Sequence, residues 1–284
     1  MAIIKSSAVT DKGLQRGNNE DSYISLPEQG LWVIADGMGG HDAGEVASAI
    51  VVETIQKERL DERSLADAIQ RSHQSVLEAV ENGTGAKGMG STVVALETSE
   101  TEYQVSWVGD SRAYLWTPDK SGGTLEQLTT DHSYVQMLLA TGAISEEDVA
   151  THPDKNIITQ CIGSTDVDAV KVDSVHGKWQ SGQWVLLCSD GLTDEVSDEN
   201  IAQTLCESRT TDQAATALMK LALDHGGRDN ITLLLVEAPR QQHSAIAFLQ
   251  DWLPSLSGKP TVDHSIYGIT LLCFILLCYW LWMV

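Results

Sequence analysis

Short apolar runs rich in β-branched and aromatic residues recur along the chain and predict strands. Each run is bounded by Gly, Asp or Thr, residues that commonly end strands. The runs are LWVIA (31–35), STVVAL (91–96), YQVSWV (103–108), AYLW (113–116), WVLLC (184–188) and ITLLLV (231–236). Consecutive runs such as 103–108 and 113–116 are too close for a crossover connection, so we expect largely antiparallel sheets.

A second pattern, in which apolar residues recur every three or four positions, predicts helices. Its segments are 43–57, 64–81, 198–207 and 211–225. The segment 64–81 has the clearest apolar stripe, and Ser64 with Asp67 resembles a capping box at its start. Helices alternating with antiparallel strands indicate an α+β fold, a layered β-sandwich flanked by helices.

Residues 266–284 form a different kind of segment, with 19 residues and no charge. A helix of this length spans about 28 Å, close to the ~30 Å hydrocarbon core of a bilayer. Tyr279, Trp280 and Trp282 are aromatic residues of the kind found at membrane interfaces. We expect a C-terminal transmembrane helix here; a buried C-terminal helix is the alternative.

The chain therefore divides into a domain at 1–238, a connector at 239–265 and an anchor at 266–284. The basic residues nearest the anchor, Arg240 and Lys259, precede it, and this favours a cytoplasmic domain at the inner membrane. Within the connector, residues 245–253 form an apolar stripe without Lys or Arg. This stripe is compatible with docking on the domain, self-association or contact with the membrane surface.

The charge of the chain is strongly acidic, with 40 Asp and Glu against 18 Lys and Arg and a net charge of −22. The four charged residues after 238 cancel, so the whole excess belongs to 1–238. Such a domain is repelled by the phosphates of nucleic acid, and we expect no nucleic-acid partner. The five cysteines include no Cys-x-x-Cys pair, which argues against a disulfide framework or zinc ribbon and favours reducing surroundings.

Four aspartates stand beside the predicted strands: Asp36, Asp110, Asp190 and Asp229. An Asp-Gly pair often marks a hairpin turn. However, Asp36-Gly37 and Asp190-Gly191 are each followed by a helical pattern instead of a returning strand. Carboxylates at strand ends, with a glycine whose carbonyl can approach a cation, are the hard oxygen ligands that suit Mg²⁺ or Mn²⁺.

A cluster of carboxylates needs compensating positive charge, and two divalent cations would also make an acidic protein attractive to phosphate. Arg16, in the run RGNNED, is a residue that can grip two phosphate oxygens at once. A surface ion pair with Glu20 is the alternative for Arg16. Arginine beside a two-metal centre is typical of phosphate-ester hydrolysis.

Eight motifs in this order resemble the bacterial branch of the metal-dependent, type 2C serine/threonine protein phosphatases. The resemblance covers roughly residues 1–236. The motifs are RGNNEDSY, VIADGMGGHDAGEVAS, GMGSTVVAL, VGDSRAYLW, LTTDHSYVQMLLATGAIS, HPDKNIITQCIGS, LLCSDGLTDEV and GGRDNIT.

The resemblance implies a role for each site residue. Asp36 would bridge two metals, one of which the Gly37 carbonyl would bind, and Asp190 and Asp229 would complete the shell of the other. Arg16 would hold the substrate phosphate. Bacterial members also carry a third metal, for which Asp110 and again Asp190 are the matching positions.

Three further features follow from the same resemblance. Glu20 would act through a metal-bound water, with Asp21 supporting it. The stretch 131–152 matches a variable flap that shapes substrate choice. Where the eukaryotic branch has a histidine proposed as general acid, this chain has Met38, and we assign no residue to that step; nearby His41 is interpreted as a helix-start histidine.

The reaction predicted is hydrolysis of phosphoserine or phosphothreonine in proteins by a water activated at a Mg²⁺ or Mn²⁺ centre, without a covalent intermediate. The expected partners are phosphorylated proteins at the membrane, including a Ser/Thr kinase and its targets. Two alternatives remain open from the residues: a phosphatase for small phosphate esters, and a non-catalytic module that binds phosphoproteins.

Overall fold

A computed structural model describes residues 4–40, 43–120, 122–149 and 151–239. These residues belong to one compact unit with limits at Met1 and Gln241. His41, the connector from residue 240 onward and the segment 266–284 lie outside the described residues. No helix within the described ranges is long and apolar enough to cross a membrane.

The described elements, numbered in chain order, alternate blocks of strands and helices. The strands are β1 (Ser6–Asp11), β2 (Asp21–Leu26), β3 (Leu31–Met38), β4 (Gly90–Ser91), β5 (Val93–Thr98), β6 (Glu102–Val108), β7 (Arg112–Thr117), β8 (Thr124–Gln127), β9 (Asp173–Lys178), β10 (Trp184–Cys188) and β11 (Ile231–Glu237). The helices are α1 (Ala43–Leu60), α2 (Leu65–Glu81), α3 (Tyr134–Ala140), α4 (Glu146–Val149), α5 (Asp190–Thr193), α6 (Asp198–Glu207) and α7 (Thr211–His225).

Two antiparallel sheets form the centre of the unit. The first has the order β1-β11-β10-β7-β8, and the second has the order β2-β3-β5-β6-β9, with β4 paired to β3. Every described strand pair is antiparallel, as the short connections predict.

Three apolar cores separate four layers. Alternate residues of the central strands point to opposite faces. In β3, Trp32 and Ile34 are buried between the sheets, whereas Val33 and Ala35 face α1 and α2. The other face of the first sheet is covered by α6 and α7. Because the central strands are buried on both faces, their sequences are continuous apolar runs. The predicted sandwich flanked by helices is confirmed.

The predicted helices agree closely with the observed ones. Ser64 is the N-cap of α2, and its hydroxyl accepts a hydrogen bond from the Asp67 amide, as the capping box predicts. One predicted strand, 91–96, is wrong in its continuity because it is broken at Thr92. The Thr92 amide donates to the Asp36 carbonyl at 2.8 Å, and the Thr92 hydroxyl accepts the Asp36 amide at 3.2 Å.

Candidate metal and phosphate site

All eight residues predicted for the site lie at one end of the sandwich. The ends of β1, β3, β6 and β10 meet there with the starts of β2, β7 and β11, because paired strands run in opposite directions. Loops at this end carry Arg16, Glu20, Asp110 and Asp229. Asp190 is the first residue of α5, and Asp21, Asp36 and Gly37 lie within strands.

Asp21 and Asp36 are direct cross-strand partners in β2 and β3. Carboxylates directly opposite each other on one face of a sheet repel. The structure holds both in place through polar neighbours: the Ser189 hydroxyl donates to Asp21 Oδ2 at 2.9 Å, and the Asp36 amide donates to Thr92. The strand register therefore places two negative charges together.

The first sheet brings three further carboxylates toward this pair. Asp190 follows β10 and Asp229 precedes β11, and these two strands are hydrogen-bonded neighbours. Asp110 lies in the turn between β6 and β7, and its neighbour Ser111 bonds the Thr92 hydroxyl at 2.7 Å. Through Ser189 and Thr92, polar side chains connect the two sheets at the site.

Burial and nearby negative charges raise the pKa values of four of these aspartates. Burial, reinforced by the negative charges of Asp21, Asp190, Asp110 and Asp229, raises the pKa of Asp36 well above its usual value. Burial and then Asp110, Asp194 and Asp229 do the same to the pKa of Asp190. The pKa values of Asp21 and Asp110 are each raised to about 6, mainly by burial.

This cluster fits divalent cations in its chemistry. Asp21 Oδ1 and Asp190 Oδ1 are buried oxygens without a hydrogen-bond partner, and such oxygens are costly unless a cation or a proton satisfies them. Within the described ranges, no three His, Cys, Asp or Glu side chains are already drawn together into a finished metal-ligand set. Repulsion between uncompensated carboxylates opposes such close approach.

Arg16 lies at the open side of the cluster. Its guanidinium donates to Asp229 Oδ2 at 2.5 Å, while 53% of its side chain remains exposed. This hydrogen bond and the charges of Asp190 and Asp36 raise the pKa of Arg16. The ion pair that the structure forms is thus with Asp229 and not with Glu20, and the exposed guanidinium is accessible to an anion from solvent.

Glu20 and Gly37 are positioned by the start of α1. A Cβ atom on Gly37 would lie 2.1 Å from the Gly44 carbonyl oxygen, and one on Gly44 would lie 2.7 Å from Glu20 Oε2. The two glycines allow β3, α1 and the Glu20 carboxylate to meet. Gly44 is a site residue that sequence analysis missed; its signal is the last glycine in GMGGHDAG.

The segment predicted as a flap lies beside Asp110 and α5. It contains α3 and α4, and the His132 amide donates to the Gly109 carbonyl at 2.9 Å. Lys155, just beyond it, forms an ion pair with Asp194 at 2.7 Å. Met38, half-buried and paired with Gly90, offers no titratable proton at its position.

Known proteins are similar to this chain in both sequence and architecture. The serine/threonine phosphatase Stp of Listeria innocua is 37% identical over 241 residues, covering 80% of this chain and 93% of the relative. The Mycobacterium tuberculosis serine/threonine phosphatase PstP/Ppp matches with a TM-score of 0.74 and 34% identity, over 82% of this chain and 98% of that one.

A structure of the catalytic domain of the serine/threonine protein phosphatase PstP in complex with two manganese ions matches with a TM-score of 0.72 and 33% identity. It covers 84% of this chain and 99% of its own. The family model described as protein phosphatase 2C matches residues 14–224. With the sandwich and the carboxylate cluster described above, these matches establish that the chain belongs to the protein phosphatase 2C family.

Proposed function

We propose that this chain hydrolyses phosphoserine and phosphothreonine in proteins at the carboxylate cluster, with Mn²⁺ or Mg²⁺ as cofactor. The observation that carries the proposal is the meeting of mutually destabilised aspartates, two of them with unpartnered buried oxygens, beneath an exposed arginine. Family membership and the names of the similar proteins support it.

The cations would be held by four aspartates of the cluster and one backbone carbonyl. Asp36 and the Gly37 carbonyl would serve one cation, and Asp36 with Asp190 and Asp229 the other; Asp110 and Asp190 would serve a third. Bound cations would lower the pKa of water towards neutrality and offset the charge of the phosphate.

The protein's own side chains would bind the phosphate and hold the metal ligands in position. Arg16 would bind the phosphate oxygens through paired N–H donors, which an ammonium cannot match in geometry. Asp21, buried against Ser189, would keep Asp36 in position and add negative charge for the cations. Met38 has no proton to give, so protonation of the departing hydroxyl oxygen does not fall to residue 38.

The direct test is turnover of p-nitrophenyl phosphate and of phosphopeptides with Mn²⁺ or Mg²⁺. We expect activity that EDTA abolishes, and an Asp36→Asn variant slower by at least about 10²-fold, because the loss removes charge stabilisation at the reacting centre. Asp61→Asn, an exposed carboxylate at the end of α1, is the matched control and should keep the wild-type rate. Full activity of folded Asp36→Asn would contradict the mechanism, and preference for metabolites over phosphopeptides would contradict the substrate class.

We also propose that residues 266–284 anchor the domain in the inner membrane, with the domain in the cytoplasm near a Ser/Thr kinase and its targets. The support is the run of 19 uncharged residues, of bilayer-spanning length. In cell fractionation, the full chain should require detergent for release, whereas a chain ending at Ser265 should be soluble. If the shortened chain stayed on membranes, the anchor assignment would be wrong and the 245–253 stripe would be the element to test next.

A further inference from the structure

Asn230 lies next to the candidate ligand Asp229, and 5% of it is exposed. Its side chain makes three hydrogen bonds, all to one loop. The Nδ2 group donates to the carbonyls of Lys12 and Asn18, both at 2.9 Å, and Oδ1 accepts the amide of Glu20 at 2.8 Å. We call residues 12–20 the arginine loop, because Arg16 lies at its centre.

The arginine loop connects β1 to β2 and contains no helix or strand of its own. Asn230 forms hydrogen bonds to the loop on both sides of Arg16. A further contact reinforces the grip, since the Leu14 amide donates to the Gly227 carbonyl at 2.7 Å. Gly13 allows this close approach: a Cβ there would lie 2.1 Å from the Asp229 carbonyl oxygen, and its φ is +75°.

An amide is the side chain that satisfies this geometry. Two carbonyls require two N–H donors and one backbone amide requires an acceptor, and Asn supplies all three at one point. A buried loop carbonyl without a donor is costly, so removal of the amide would allow the loop to rearrange towards water. Arg16 carries no bond to Asn230 itself and is coupled to it through the backbone.

We propose that Asn230 is a positioning residue, which holds the arginine loop so that the Arg16 guanidinium lies over the carboxylate cluster. This inference rests on the proposed function for its catalytic consequence. We call the three hydrogen bonds from Asn230 to the arginine loop the clamp. Their effect on the loop can be measured without catalysis.

The variants Asn230→Ala and Asn230→Asp remove different parts of the hydrogen-bond set. Alanine removes all three bonds, whereas aspartate keeps the side-chain volume and the acceptor for Glu20 but loses both donors. Gln183→Ala is the matched control, because Gln183 is also a buried amide, 3% exposed, and bonds Thr117 and the Gln180 amide at the opposite end of β10.

In the Mn²⁺-loaded enzyme, we expect kcat/KM for p-nitrophenyl phosphate to fall by about 10- to 100-fold in both Asn230 variants, since small misplacements of a binding group have effects of this size. Gln183→Ala should stay near the wild-type value. In an Arg16→Ala background the additional loss from Asn230→Ala should shrink to less than about threefold, as expected for residues that act as a unit.

Two kinetic results would overturn the proposal. Losses that multiply fully in the double variant would show that Asn230 does not act through Arg16. Activity restored by higher Mn²⁺ would show that Asn230 acts through Asp229 as a metal ligand.

Hydrogen exchange provides a readout that does not depend on activity. Amides of the arginine loop should exchange faster in both Asn230 variants than in wild type, while those of β10 and β11 stay protected. Unchanged loop exchange would refute the clamp even if the enzyme were slow. If wild type showed no turnover while loop exchange responded as expected, the proposed function would fail and the clamp would stand.

Discussion

At the scale of single residues, the site consists of groups that destabilise one another. Asp21 and Asp36 face each other across two strands, and burial together with like charge raises the pKa of both. Such an arrangement is unfavourable for folding alone and favourable for holding cations. Two glycines complete it, because Gly37 leaves room for the Gly44 carbonyl, and Gly44 leaves room for the Glu20 carboxylate.

Gly44→Ala tests this packing at the residue scale. The added methyl would lie 2.7 Å from Glu20 Oε2 and 2.8 Å from the Gly37 carbonyl carbon, so we expect an unfolding free energy lower by about 1–3 kcal/mol and a clear loss of activity. Urea denaturation and phosphatase assays measure the two effects. Gly40→Ala is the control in the same segment, since a Cβ there meets nothing within 4 Å. Equal behaviour of the two variants would show that Glu20 is not held as described.

At the scale of elements, the site depends on connections between strands and the segment 131–152. Arg112 in β7 donates from Nε and Nη2 to Asp131, and from Nη1 to the Tyr114 hydroxyl. Tyr114 in turn donates to Asp198 at the start of α6. This buried network joins the first sheet, the base of the predicted flap and a helix of the outer layer.

Arg112→Met tests the network. It leaves Asp131, with 8% of its side chain exposed, without its cationic partner, and breaking one side of a buried pair typically costs about 3 kcal/mol or more. Equilibrium unfolding should report a loss of this size. Lys220→Met, which breaks the exposed pair with Asp224, should leave stability unchanged. A loss below about 1 kcal/mol for Arg112→Met would mean that the pair is dispensable.

Four strands that sequence analysis missed have a common position. Strands β1 and β8 are the edges of the first sheet, and β2 and β9 are the edges of the second. Edge strands are more polar than central ones because they are less buried. The burial patterns of β2 and β9 contain no fully buried residue, so no apolar run marks them in the sequence.

At the scale of the whole molecule, the net charge of −22 and the raised pKa values of buried aspartates both make the metal-free folded state less stable as the pH rises. For Asp21 and Asp110, the folded pKa of about 6 lies above the ordinary value near 4 of an unfolded aspartate. The folded state then binds more protons than the unfolded state in this window. These groups therefore lower the unfolding free energy as pH rises from about 4 to about 6.

We accordingly expect the metal-free protein to melt at a higher temperature at about pH 5 than at about pH 7.5, by at least about 4 °C. Added Mn²⁺ should raise the melting temperature at the higher pH, because ligands that bind only the folded state stabilise it. Differential scanning calorimetry with EDTA or Mn²⁺ measures both effects. Asp110→Asn, which removes one of the raised groups, should weaken the dependence on pH. A metal-free protein that becomes more stable with rising pH would contradict this account.

The sequence by itself determined the central strands, the four long helices and the family, because burial on both faces and helical periodicity leave a local pattern in the residues. It also placed Asp110, Asp190 and Asp229 beside strand ends, whereas Asp36 lies within β3, which continues to Met38. Only the tertiary structure decided the rest: the cross-strand pairing of Asp21 with Asp36, the ion pair of Arg16 with Asp229, the room at Gly44 and the grip of Asn230. These features depend on strand register and on contacts between residues as many as 218 positions apart, as for Lys12 and Asn230, and no local pattern records such contacts.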